Sequence, residues 1–90
     1  MRITYDQQKR ELTLTRRGLD FEDAPKIFEG RTFSLVDDRK DYGEKRTATF
    51  GKLNDRMVVV VWTQRDDAHH IISMRKCNER EQRKYRARLG

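Results

Sequence analysis

Cysteine is nearly missing from this 90-residue chain: Cys77 stands alone, so no internal disulfide can form and no second thiol completes a zinc pattern. A reducing cytoplasm is the expected compartment. Long apolar runs are missing too. The longest, Met57 to Trp62, is far too short to span a bilayer, and the opening MRITYDQQ lacks the apolar core of a secretory signal, so neither membrane insertion nor secretion is expected. Aromatic residues make up 9% and hydrophobic residues 34% of the chain against 40% charged, a balance close to that of disordered proteins. The apolar residues are clustered rather than diluted, which predicts a compact fold beneath a charged skin. A chain of this length buries only about 60 to 65% of its unfolded surface, enough for one core and not two. Residues 1–90 are therefore expected to form a single domain, with residues 78–90 as a basic C-terminal helix or tail.

Several kinds of chemistry have no residues to carry them. There is no nucleophile elbow for a hydrolase triad, no glycine loop to cradle phosphates and no spaced set of histidines and carboxylates, so neither a metal nor another cofactor is expected. Cys77 lies beside Lys76 with no sequence-level partner that would make it a nucleophile. His69 and His70 are adjacent, and adjacent strand residues point to opposite faces, so they cannot easily share one ion.

What is present in excess is positive charge. The net charge is +6, and it is uneven: from Arg75 to Gly90 seven cations stand against Glu79 and Glu81, a net +5 that leaves +1 for the first 74 residues. Such a concentration fits a polyanionic partner, nucleic acid or an acidic protein, because a basic surface releases counterions from phosphates and steers association. A merely solvated helix face is the alternative.

The order of elements predicts an α+β fold, β-α-α-β-β-β-β-α. RITY reads as a short strand, and Asp6 can cap a helix from Gln7 to about Arg17 that Gly18 closes, although ELTLT alternates with the period of a strand. A second helix follows from Asp20 as N-cap, with Phe21, Ala24, Ile27 and Phe28 on one face and Gly30 at its end. From Arg31 the period becomes two, giving strands in RTFSLV, KRTATFG, RMVVVVWTQR and AHHIISM. The last three connect through the short turns GKLNDR and RDDA, so they predict an antiparallel meander, and the doubly apolar VVVV belongs at its centre. The sheet is expected to have about four to five antiparallel strands with both early helices packed on it. Asn78 and Glu81 form a capping box for a last helix in which Tyr85 and Leu89 are the only large apolar residues, so that helix is expected to be loosely held.

If Ile71 faces the core, His69 shares its side while His70 faces away and can line a groove. Arg75 and Lys76 follow at the end of that strand, just before a helix N-terminus, which outlines an anion site. If the anion is an RNA phosphate, the reaction that needs no metal is attack by the neighbouring 2′-hydroxyl. Fixed cations stabilise the five-coordinate phosphorus, and an acid and base add about 10²- to 10⁴-fold. Arg16, Arg17, Arg75 and Lys76 are candidate cations; Glu22, His69 and His70 are candidate proton carriers. Surface ion pairing is the plainer role open to each.

The stretches DDRKDYGEKRTATFG, RMVVVVWTQR and IISMRKCNEREQRKY closely resemble the BrnT family of type II toxin–antitoxin toxins, and the similarity runs back through GLDFEDAPKIFEG. The resemblance implies a bacterial ribonuclease with a RelE-like fold that blocks translation by cutting RNA, on or off the ribosome. It further implies neutralisation by a BrnA-like ribbon-helix-helix antitoxin in a two-toxin, two-antitoxin complex that touches operator DNA only through the antitoxin. By resemblance Lys9 and Leu14 match the family's first helix, and Phe21, Glu22 and Ala24 the second. Asp41, Tyr42, Gly43, Glu44 and Arg46 match the loop and strand, Arg65 the hairpin end, and Ser73, Arg75 and Lys76 the terminal block. Many relatives read Asn-Leu-x-Lys-His-Gly where this chain has TLTRRG, so Arg16 and Arg17 keep charge but lose a proton carrier near neutral pH.

The expected catalytic set is Lys9, Arg16, Arg17, Glu22, His70, Arg75 and Lys76, with Arg46, Arg65, Arg80, Arg83 and Lys84 as further RNA contacts. The alternative is a catalytically weak or inactive module that acts with the antitoxin in transcriptional autoregulation.

Overall fold

The computed structural model describes residues 1–90. Strand β1 (Ile3–Tyr5) leads into helix α1 (Gln7–Arg17), then a single 3₁₀ turn (Phe21–Asp23) and helix α2 (Ala24–Glu29). Strands β2 (Phe33–Asp37), β3 (Arg46–Leu53), β4 (Arg56–Arg65) and β5 (Ala68–Lys76) follow, and helix α3 (Glu79–Leu89) ends the chain. The caps are those the sequence predicts. Asp6 accepts from the amides of Gln8 and Lys9, Gly18 closes α1 in the left-handed conformation, and Asn78 and Glu81 complete the capping box of α3. The expected second helix is broken into the 3₁₀ turn and α2, with Pro25 in the first turn of α2, where its missing N–H costs little.

The sheet order is β1-β5-β4-β3-β2. β2 to β5 are antiparallel neighbours, β3 to β5 through two short hairpins and β2 with β3 across the loop of residues 38–45. Asn54 and Asp55 take φ of 51° and 64°, the left-handed pair that a two-residue turn matching strand twist demands. The sheet is not wholly antiparallel, however: β1 pairs with β5 in parallel, Thr4 opposite His70. A parallel neighbour needs a long crossover, and here the rest of the chain supplies it.

Apolar side chains fill both faces of the sheet. On one, Phe21, Ala24 and Ile27 from the 3₁₀ turn and α2 pack against Val58, Val60, Ile71 and Met74. On the other, Phe50, Met57, Val59 and Cys77 receive Leu89 and Tyr85 from α3. Alternation along VVVV thus serves two cores. This arrangement corrects two expectations. Helix α1 buries no residue and runs beside β5, so only α2 of the early helices lies over a sheet face. And α3 is not loosely held, because Tyr85 meets Phe33 and Phe50 at ring distances of 5.0 and 4.8 Å, and Leu89 is buried.

Gly51 marks where α2 approaches β3 most closely. A Cβ there would stand 2.7 Å from Cγ2 of Ile27 and 3.1 Å from Cγ2 of Thr32. Gly51→Ala is therefore expected to cost about 1–3 kcal/mol through overpacking, read by denaturant titration; a variant as stable as the parent would contradict this packing.

Candidate nucleic-acid interface

Which side chains reach the open part of the sheet depends on one irregularity in β5. Val61 pairs with Ser73 but Trp62 pairs with Ile71, so Ile72 is an extra residue and the strand carries a bulge. Such an insertion re-aims every side chain beyond it. Before the bulge, Ile71 faces the α2 core with His69, which packs on Trp62 and Phe28 at 4.1 and 5.2 Å. After it, Met74 takes the core side. Strict alternation from Ile71 would put Ser73 and Arg75 in that core as well; the bulge turns them instead to the face of His70.

That face is covered by α3 only toward one end. Beyond it lies a cleft of about 250 Å³ with an apolar floor that includes Leu35, Ala48, Val59 and Val61, and with Asp37, Asp38, Arg39, Ser73 and Arg75 on its walls. Ser73 also lines a second cleft, about 190 Å³, against the side of α1 that carries Lys9, Thr13, Arg16 and Arg17. Arg17 is tethered there: its Nη1 donates to the carbonyl of Met74 at 2.9 Å, on the stretch of β5 beyond its pairing with β1. Four expected cations, Lys9, Arg16, Arg17 and Arg75, therefore surround two clefts joined at Ser73.

Arg75 itself is gripped. Its two terminal nitrogens donate to the carboxylate of Glu81 at 2.7 and 2.8 Å, and this pairing holds the guanidinium firmly protonated and the Glu81 carboxyl below its ordinary range. Arg39 forms a similar fork on the buried Asp37, at 2.8 and 3.0 Å, which lowers the carboxyl of Asp37. Arg39 is also close enough to repel the charge of Arg75. Neither Arg39 nor Glu81 was visible as a site residue in the sequence. Arg39 sits in a charged loop, and Glu81 reads only as half of a capping box, because a strand-to-helix pair six positions apart has no periodic signature.

His70 stands farther along the same face. Its Nδ1 lies 2.8 Å from Oγ1 of Thr4, and partial burial, helped by Arg65 and Lys9, lowers its pKa from 6.5, so the ring is neutral at pH 7. Arg65 reaches Glu44 at 3.5 Å, and Arg46 lies over the ring of Tyr42 at 3.9 Å with its buried Nε 4.0 Å from the Glu44 carboxylate and without a hydrogen bond. Both lie on this face of the sheet.

Two expected site residues lie elsewhere. Glu22 accepts from the Tyr5 hydroxyl on the α2 side of the sheet, raising the phenol's pKa. Lys76 pairs across the sheet with Val58 and lines a cavity with Gly18 and Asn54 on that same side, opposite Arg75. Arg80, Arg83 and Lys84 are exposed on α3; Arg83 faces Glu79 at 3.8 Å and Lys84 overlies Tyr85 at 5.3 Å. Cys77 is buried and its thiol is pushed up to about 11 by desolvation, which leaves it a poor nucleophile. No group of three or more His, Cys, Asp or Glu is placed to hold a metal ion, and no helix is long and apolar enough to cross a membrane.

An apolar-floored cleft with Arg39 and Arg75 among its charged walls, joined at Ser73 to a cleft lined by Lys9, Arg16 and Arg17, is a surface suited to a polyanion with stacking or apolar parts, as single-stranded nucleic acid has. The family model for the BrnT ribonuclease toxin of type II toxin–antitoxin systems matches residues 5–81, and the chain belongs to that family. A search of curated proteins finds no match.

Proposed function

We propose that this chain is an endoribonuclease toxin that cuts RNA without a metal ion on the open face of its sheet. The observation that carries the reading is the bulge at Ile72, which brings Arg75 and Ser73 to the same face as His70. Lys9, Arg16 and Arg17 stand across from them on α1. In the proposed reaction the 2′-oxygen attacks the adjacent phosphorus, the bond to the 5′-oxygen breaks, and a 2′,3′-cyclic phosphate and a free 5′-hydroxyl result. Neutral His70 takes the proton of the 2′-hydroxyl, and the leaving oxygen draws its proton from solvent. Arg75, Arg17 and their neighbours stabilise the charge that grows on the phosphoryl oxygens. Glu22 and Lys76 have no part in this reading, since both stand on the other side of the sheet.

The toxin would act in the bacterial cytoplasm as a single RelE-like domain with RNA as substrate. A BrnA-like ribbon-helix-helix antitoxin would neutralise it in a two-toxin, two-antitoxin complex, and operator DNA would be reached only through that antitoxin. The cationic cleft along α1, lined by Lys9, Arg16 and Arg17, favours an acidic inhibitory segment. The test is cleavage of a defined RNA by purified protein in EDTA, with and without translating ribosomes. Cutting in either setting supports the reading; a folded protein that cuts in neither is a regulatory binding module instead.

A further inference from the structure

The carboxylate of Glu81 is fixed more tightly than a surface ion pair requires. It accepts from both terminal nitrogens of Arg75 and from the backbone amide of Asn78, the last at 3.0 Å, while the amide of Glu81 donates to Oδ1 of Asn78 at 2.8 Å. Its side chain is only 19% exposed, against 44% for Arg75. An isolated exposed pair contributes little because two long side chains must be ordered for one contact. Here one partner is already ordered by the helix start, so Arg75 is held at little further cost in entropy.

A guanidinium carries five N–H donors. Glu81 engages one on each terminal nitrogen, which leaves three for a ligand in the cleft that Arg75 lines. We infer that Glu81 is a positioning residue: from the N-terminal turn of α3 it fixes the fork of Arg75 so that the remaining donors meet the reacting phosphate. The inference rests on the ribonuclease reading and deepens it, because it makes the docking of α3 a condition for the geometry of the site.

Glu81 also has an opposing effect. Its negative charge weakens the attraction of the cleft for RNA, so removing that charge should strengthen binding while it loosens Arg75. Turnover and affinity should therefore move in opposite directions, which simple loss of the helix would not produce.

The test is steady-state cleavage by the full chain carrying Glu81→Gln, beside Asn78→Ala, which removes a cap bond of the same helix but leaves the carboxylate on Arg75. For Glu81→Gln kcat is expected to fall about 10- to 100-fold, the loss typical of a misaligned group, with KM unchanged or lower. Asn78→Ala is expected to lower Tm and leave kcat at the parent value. An unchanged kcat in Glu81→Gln overturns the inference alone. So does an equal loss of kcat in both variants, which would make helix stability the cause. A parent chain that cuts no RNA overturns the ribonuclease reading and this inference with it.

Discussion

Arg75→Ala is expected to lower RNA cleavage by about 10²- to 10³-fold, the range found when one preorganised donor to a developing oxyanion is removed. The fold should survive. Arg75 is at the surface end of β5, its side chain is 44% exposed, and the substitution breaks its ion pair with Glu81. Glu81 would still accept from the Asn78 amide, so its carboxylate is not left bare. Exposed pairs contribute roughly 0–1 kcal/mol, so Tm should fall by no more than about 8 °C. Arg75→Lys should recover only part of the activity, since an ammonium keeps the charge but cannot grip Glu81 and phosphate with one planar fork. The measurement is kcat/KM on a defined RNA together with growth arrest on expression. Retained cleavage and retained toxicity in the alanine variant would remove Arg75 from the catalytic set.

The reason this expectation attaches to Arg75 and not to its neighbour could not be read along the chain. The motif pairs Arg75 with Lys76 as if they formed one cationic unit, but neighbours on a strand diverge, and Lys76 faces the α2 side. Alternation does predict the divergence of His69 and His70, and the structure has it: His69 packs with Trp62 while His70 meets Thr4 on the other face. The bulge at Ile72 is where that logic ends, because an inserted residue leaves no mark in a period-two pattern. Helix caps and the Asn54–Asp55 turn were legible because each is set by a few adjacent side chains. The parallel seat of β1 was not, since a three-residue strand says nothing about a partner 66 positions away, Thr4 against His70. Arg39 and Glu81 enter the site through the tertiary fold alone. The second helix shows a milder failure of the same kind. Phe21, Ala24 and Ile27 are all buried as their spacing predicts, yet the backbone beneath them divides into a 3₁₀ turn and a short helix.

Removing residues 78–90 illustrates how far the tail's charge misleads. From composition, such a truncation should weaken RNA binding and flatten its salt dependence, leaving a sound domain behind. The packing predicts loss of the domain itself. Without α3, Phe50, Met57, Val59 and Cys77 lose Leu89 and Tyr85, and one core of the sheet opens to water. Truncation of one large buried side chain costs about 2–5 kcal/mol. Losing the buried Leu89 and the half-buried Tyr85, set against a total stability of about 5–15 kcal/mol, should remove most of the stability that keeps the truncated chain folded at 25 °C. Circular dichroism and denaturant titration check this, and a truncated chain with a cooperative transition near that of the parent would refute it. The question of charge is better put to Arg80→Gln, Arg83→Gln and Lys84→Gln combined, because these side chains are exposed and none belongs to the α3 core. If the helix tracks RNA phosphates, the slope of log K against log salt should become shallower by about 0.7 for each single-strand phosphate no longer neutralised, at unchanged Tm. An unchanged slope would restrict the RNA interface to the clefts around Arg75 and α1 and leave the outer face of α3 to solvent or to an acidic protein partner.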